Sequence, residues 1–160
     1  MKQSVISMMD LLCVSALLLL FGLSTFTLVS VGADAYSRLL DKRESTSDMR
    51  IASSYISMKV RRCDETDAAF VRREPTGEVL VLSNTDEYGD ALETRIYLYD
   101  GMLCEVIAYP DESFDPELGF EVVPLEAFEV VLDAGTLTFT LKRDDLTRVF
   151  SLRLRSGAAL

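Results

Sequence analysis

Asp10 stands at the head of a run in which no charge occurs until Asp34. A carboxylate beside hydrocarbon costs on the order of 2.5–3.5 kcal/mol at a bilayer centre and less at its edge. Asp10 therefore needs either water or a counter-charge. The other residues with chemical potential are sparse. The chain has no histidine, which removes the commonest neutral-pH base and the commonest metal ligand. Its serines have no imidazole to activate them, and neither a G-x-S-x-G elbow nor a P-loop is present. Cys13, Cys63 and Cys104 are too widely spread for a zinc or CxxC site. Cys13 reads as a small apolar residue facing lipid. In an oxidising compartment Cys63 and Cys104 would be available for a disulfide closing a long loop; two buried free thiols is the other reading. Two acidic sets have oxygen ligands of the kind calcium takes: Asp111, Glu112, Asp115 and Glu117, and Asn84, Asp86, Glu87 and Asp90. Neither completes an EF-hand loop, and in the second, after Gly89, Arg95 stands where the closing glutamate would be, so solvated loops are expected. Asp144-Asp145 reads as a turn. No catalytic residue, metal site or cofactor follows, and the chain reads as a non-enzyme.

The elements that position these residues start with Leu11–Val31, 21 residues of apolar sequence. At about 1.5 Å per residue this crosses a hydrocarbon layer of roughly 30 Å. Residues 1–33 are thus a tail and a transmembrane segment, longer than the apolar run of a signal peptide. A cleavage site at Val31-Gly32-Ala33 is the alternative. Residues 34–160 form the remaining domain. Apolar residues continue at helical spacing through Met49, Ala52, Ile56, Val60 and Cys63, opposite Arg38, Lys42, Asp48, Arg50 and Lys59. An amphipathic helix over 34–63 is predicted. It is either continuous with the span or joined to it by a kink at Gly32.

From 78 to 155 the pattern becomes that of strands. Glu78–Ser83 is a short apolar run. Asp100-Gly101 sits between two alternating runs, the signature of a type I′ hairpin. Residues 127–155 read as a three-stranded meander with turns at Asp133–Gly135 and Arg143–Leu146. The segment 109–124 between them is predicted to be an acidic, proline-bearing loop. The expected fold is α+β: a long N-terminal helix, half transmembrane and half amphipathic, packed on one face of an antiparallel β-sheet. The net charge of −10 is unevenly spread: residues 34–62 carry seven Lys/Arg against four Asp/Glu, and residues 63–160 eight against 21. An acidic domain is a poor nucleic-acid binder. The positive-inside count does not set the orientation, because Lys2 on one side faces Arg38, Lys42 and Arg43 on the other. The acidic domain and its cysteines favour the outside.

This order of a short tail, apolar helix half, amphipathic half and antiparallel sheet resembles type IV pilin-like proteins. Within them it looks most like J-type minor pseudopilins and competence minor pilins, whose hairpin form is matched here by Thr94–Glu105. The family's mark, a glycine followed by FTLIE, is absent; Asp10 takes the acidic fifth place if the mature chain begins at Ile6. The resemblance implies a membrane-anchored structural subunit of a secretion, type IV pilus or competence filament. Its partners would be other pilin-like subunits through the N-terminal helix, a membrane assembly platform and the lipid bilayer. It would also make Asp10 the counter-charge of a neighbouring subunit's N-terminal amine. The reading without a filament leaves Asp10 in the headgroup region and the protein a monomeric, anchored extracytoplasmic binding or sensing domain.

Overall fold

The computed structural model describes residues 2–63, 69–75, 77–85 and 88–154, with side chains from Asp10 onward. Helix α1 (Lys2–Arg62) is followed by eight strands: β1 (Ala69–Glu74), β2 (Gly77–Thr85), β3 (Ala91–Tyr99), β4 (Met102–Ala108), β5 (Phe120–Pro124), β6 (Ala127–Asp133), β7 (Thr136–Arg143) and β8 (Leu146–Arg153). The class is α+β, with a long apolar N-terminal helix and antiparallel sheets. The chain divides into two units, Met1–Arg43 and Glu44–Leu160.

In the first unit α1 runs unbroken through Gly32, so the helix continues past the apolar span without interruption. The reason is local. No proline interrupts the segment, and a helical glycine costs only about 1 kcal/mol relative to alanine. Leu11, Leu17, Phe21, Phe26 and Val31 are exposed.

In the second unit the end of α1 covers two sheets rather than the single sheet expected. One has five strands in the order β1-β2-β3-β4-β5, the other three in the order β6-β7-β8, and every pairing is antiparallel. Met49, Ala52, Ile56, Val60 and Cys63 bury one helical stripe against Leu80, Leu82, Ile96, Leu103, Val130, Leu137, Phe139 and Leu141. At about 1.5–3 kcal/mol per fully buried aliphatic side chain, this contact supplies most of the driving force for docking the helix. Phe139 stacks on Phe150 with ring centroids 5.0 Å apart. The Asp100-Gly101 turn has φ of 46° and 74°, as a type I′ turn requires. Both meander turns fall where the sequence placed them.

Two expectations need correction. The five-stranded sheet is buried on both faces: Val79, Val81, Tyr97 and Cys104 form a second apolar cluster on the face away from α1. The alternation of Ile96 and Leu98 with Arg95 and Tyr97 separates two interiors, not an interior from solvent. The cover for the second face is the acidic segment itself, which is more than a loop. It holds a 3-10 helix (Pro116–Leu118) and the edge strand β5.

Candidate functional site

The membrane segment carries the first candidate. Asp10 is exposed at the start of the apolar stretch. Helix α1 is long and apolar enough to cross a membrane, which fits a single-pass anchor. Three of the five hydroxyls within that stretch are satisfied locally. Ser15 Oγ donates to the Leu12 carbonyl at 2.9 Å, Thr25 Oγ1 to Phe21 at 2.8 Å and Thr27 Oγ1 to Ser24 at 2.9 Å. Back-bonded hydroxyls of this kind remove the cost of a bare polar group in hydrocarbon.

The second candidate is the outer face of the five-stranded sheet, where Tyr109–Gly119 lies as a strap. Arg95, on the central strand β3, is only 2% exposed. Burying a guanidinium is tolerable only when its charge and donors are matched. Here Nε donates to Glu93 Oε2 at 2.9 Å, and Nη1 and Nη2 donate to the strap carbonyls of Glu112 and Tyr109, each at 3.2 Å. Arg72 on β1 reaches the other oxygen of Glu93 at 3.3 Å. Phe114 closes the strap, its ring edge-on to Tyr97 at 4.8 Å. Tyr97 Oη donates to the Pro116 carbonyl at 2.9 Å, and burial pushes its phenol up to about 12. Gly119 is fixed by the same tyrosine, because a Cβ there would lie 2.1 Å from Tyr97 Oη. Between the strap and the β1–β2 turn is a cavity of about 480 Å³ lined by Arg72, Glu74, Pro75, Arg95, Phe114 and Pro116.

On the opposite face, Glu105 of β4 anchors the helix. It accepts from Tyr55 Oη and pairs with Lys59 Nζ at 2.6 Å. Burial and this carboxylate together push the Tyr55 phenol well above its ordinary range. At the other end of the docked segment Ser45 donates to Asp144, and Arg143 Nε lies 3.6 Å from Asp48 and 3.5 Å from Asp144. Asp144, read from the sequence as a turn residue, has φ of 50° and takes both roles.

The structure does not bring Cys63 and Cys104 together. Both are buried free thiols, Cys63 in the cluster under α1 and Cys104 in the cluster under the strap. The disulfide weighed from the sequence is therefore replaced by two separated thiols. Strand alternation is the cause: Leu103 and Glu105 face the helix, so Cys104 must face away. Burial raises both thiols, which makes them poor nucleophiles. Cys13 is exposed in the apolar stretch.

The acidic sets are used within the chain. Asp115 caps the 3-10 helix by accepting from Glu117 N, Glu112 accepts from Tyr109 N, and Glu117 accepts from Tyr99 Oη. In the second set Asn84 donates to Thr94, while Asp86 and Glu87 lie outside the described residues. Among the described residues no three His, Cys, Asp or Glu side chains are grouped to hold a metal. The Arg72–Glu93–Arg95 network was not anticipated. Its one sequence signal was Phe114, an aromatic residue between two prolines in a polar segment, which must be buried somewhere.

Among curated proteins no relative matches this chain, and no solved structure matches it. The profile of a domain of unknown function, DUF4860, matches residues 47–144. That stretch runs from the sheet-packed part of α1 to the β7–β8 turn and is more than half of the sequence, so the chain belongs to the DUF4860 family.

Proposed function

We propose that the protein is a non-enzymatic, membrane-anchored, pilin-like subunit of an envelope filament of the secretion, type IV pilus or competence kind. The observation that carries this reading is the dual character of α1. Its first part is an exposed apolar stretch of membrane-spanning length, and its last part is the core helix of a sheet domain. A simple anchor needs no such helix continuity. A subunit that is stored in a bilayer and then moved into a helical assembly does, because the same apolar surface must serve both environments. In this reading the sheet domain lies outside the cytoplasm. Apolar stretches of neighbouring subunits pack in the assembly core, an assembly platform handles the inserted subunit, and Asp10 compensates a partner's terminal amine.

A cysteine introduced at Leu19 or at Phe26, in a Cys13→Ser background that keeps the buried Cys63 and Cys104, tests it. Oxidation of membranes from cells carrying the intact assembly system should give linked dimers. Monomer alone at every position would overturn the subunit reading. A second reading, a monomeric anchored binding domain, is favoured by the cavity beside Arg72 and Phe114. It predicts that monomer-only result together with a ligand co-purifying in the cavity.

A further inference from the structure

Residues 49–62 of α1 carry four cations and no acid, whereas residues 109–121 carry five acids and no cation. On the exposed side of α1, Ser47, Ile51, Ser54, Met58 and Arg61 follow one another at helical spacing. With Arg50 and Tyr55, the first four line a shallow, open groove of about 460 Å³ along this one helix. Its two large apolar residues are uncovered, Ile51 at 48% and Met58 at 55% exposure. Arg50, Arg61 and Arg62 form no salt bridge among the described residues.

The acidic stretch ends in the opposite combination. Leu118 and Phe120 are 73% and 74% exposed, and Glu117 and Glu121 flank them. Phe120 opens the edge strand β5 and pairs with Glu105, the residue that holds Tyr55 and Lys59. Groove and apolar knob thus lie on neighbouring elements, and both remain uncovered within one chain. A second copy presents the complement of each, in charge and in apolar surface.

We propose that the groove between Ser47 and Met58 receives the segment Glu117–Glu121 of a second copy of this chain. Leu118 and Phe120 would pack on Ile51 and Met58, while Glu117 and Glu121 face Arg50 and Arg61. The inference rests on the reading of the chain as an assembling subunit and adds the domain-to-domain contact. Charge pairs at such a rim steer association and are weakened by salt.

The test uses the full chain in lipid nanodiscs, with a benzophenone-bearing residue replacing Met58 and an equal mixture of light- and heavy-nitrogen chains. Illumination should yield peptides joining position 58 of one copy to Leu118–Glu121 of another. Their yield should fall several-fold at about 0.5 M salt, where the Debye length is under half that at 0.1 M. It should fall similarly in Glu121→Arg, and return when Glu121→Arg chains are mixed with probe-bearing Arg61→Glu chains. Products confined to one chain, to lipid or to another segment of the partner would overturn the proposal, as would indifference to both charge swaps. Cysteine crosslinks at Leu19 and Phe26 that persist beside such a result would leave the filament reading standing, so the two failures are distinguishable.

Discussion

Tyr97 ties three features together: the apolar cluster on the outer face, the strap carbonyl of Pro116 and the absence of a side chain at Gly119. Burial raises its phenol from 10.0 to about 12. The sign of the pH effect follows from linkage. Between these values the unfolded chain has lost the proton and the folded chain keeps it, so stability falls with rising pH. The contribution is complete below pH 10 and is lost as the pH passes 12. Urea midpoints measured from pH 8 to 12 should therefore decline more steeply in the wild type than in Tyr97→Phe. At pH 8 the phenylalanine variant should be weaker by about 1 kcal/mol, because the Pro116 carbonyl loses its donor. Parallel pH profiles would mean that the phenol ionises as freely in the fold as outside it. Gly119→Ala addresses the same contact from the other side. It should cost about 1–3 kcal/mol through overpacking, and the loss should shrink in a Tyr97→Phe background, where the hydroxyl nearest the new methyl is gone. Equal losses in both backgrounds would place the clash elsewhere.

Among the elements, those with strong local signals were legible in the sequence. Asp100-Gly101 named its own turn because few other pairs accept positive φ at both positions. The meander was readable from clean alternation in Leu137, Phe139 and Leu141. The docked helix was readable from Met49, Ala52, Ile56 and Val60. What escaped had no such period. β1 carries three charges in six residues, and its Ala69 and Val71 are only partly buried against the core under α1. β5 hides behind a bulge opposite Leu103 and Cys104 and ends in a proline. The burial of Arg95 has no sequence signal either, because a buried guanidinium depends here on carbonyls 14 and 17 residues away, which no local pattern announces. Arg95 is thus one of the long-range side chains that hold the strap, beside Tyr97 and Tyr99. Arg95→Met should strip the Glu112 carbonyl of its arginine donor, leave the Tyr109 carbonyl only its backbone bond from Glu112 N, and leave Glu93 paired to Arg72 alone. Limited proteolysis of this variant should give its first cut between Tyr109 and Gly119, well before the wild type is cut there. An unaltered cleavage pattern would show that Phe114 and Tyr97 hold the strap without the arginine. At the hairpin, Gly101→Val should cost about 1 kcal/mol or more, since a β-branched residue resists a φ of 74°. An unchanged melting temperature would count against a strained turn.

At the scale of the whole molecule the question returns to Asp10. The family match covers residues 47–144, so the membrane stretch and its acidic residue lie outside the matched region and must be argued from physics. Asp10 is exposed at the edge of a stretch in which three hydroxyls, those of Ser15, Thr25 and Thr27, satisfy themselves on the helix backbone. A carboxylate has no such escape. It must stay at the headgroups or meet a cation. If it compensates a partner's amine inside an assembly, Asp10→Ala should leave insertion of the monomer intact, since a costly charge near lipid has been removed. Assembly should fall, because the partner's amine then lies in low dielectric without its counter-charge. Asp10→Glu should retain part of the assembly, as the charge is kept and the reach changes by one methylene. If Asp10 only marks the membrane boundary, alanine and glutamate should both assemble like the wild type. Quantifying inserted monomer and cysteine-crosslinked oligomer for each variant separates the two roles. Normal oligomers from Asp10→Ala would sink the charge-pairing role. The dual helix α1, and the subunit reading built on it, would then have to stand on apolar packing alone.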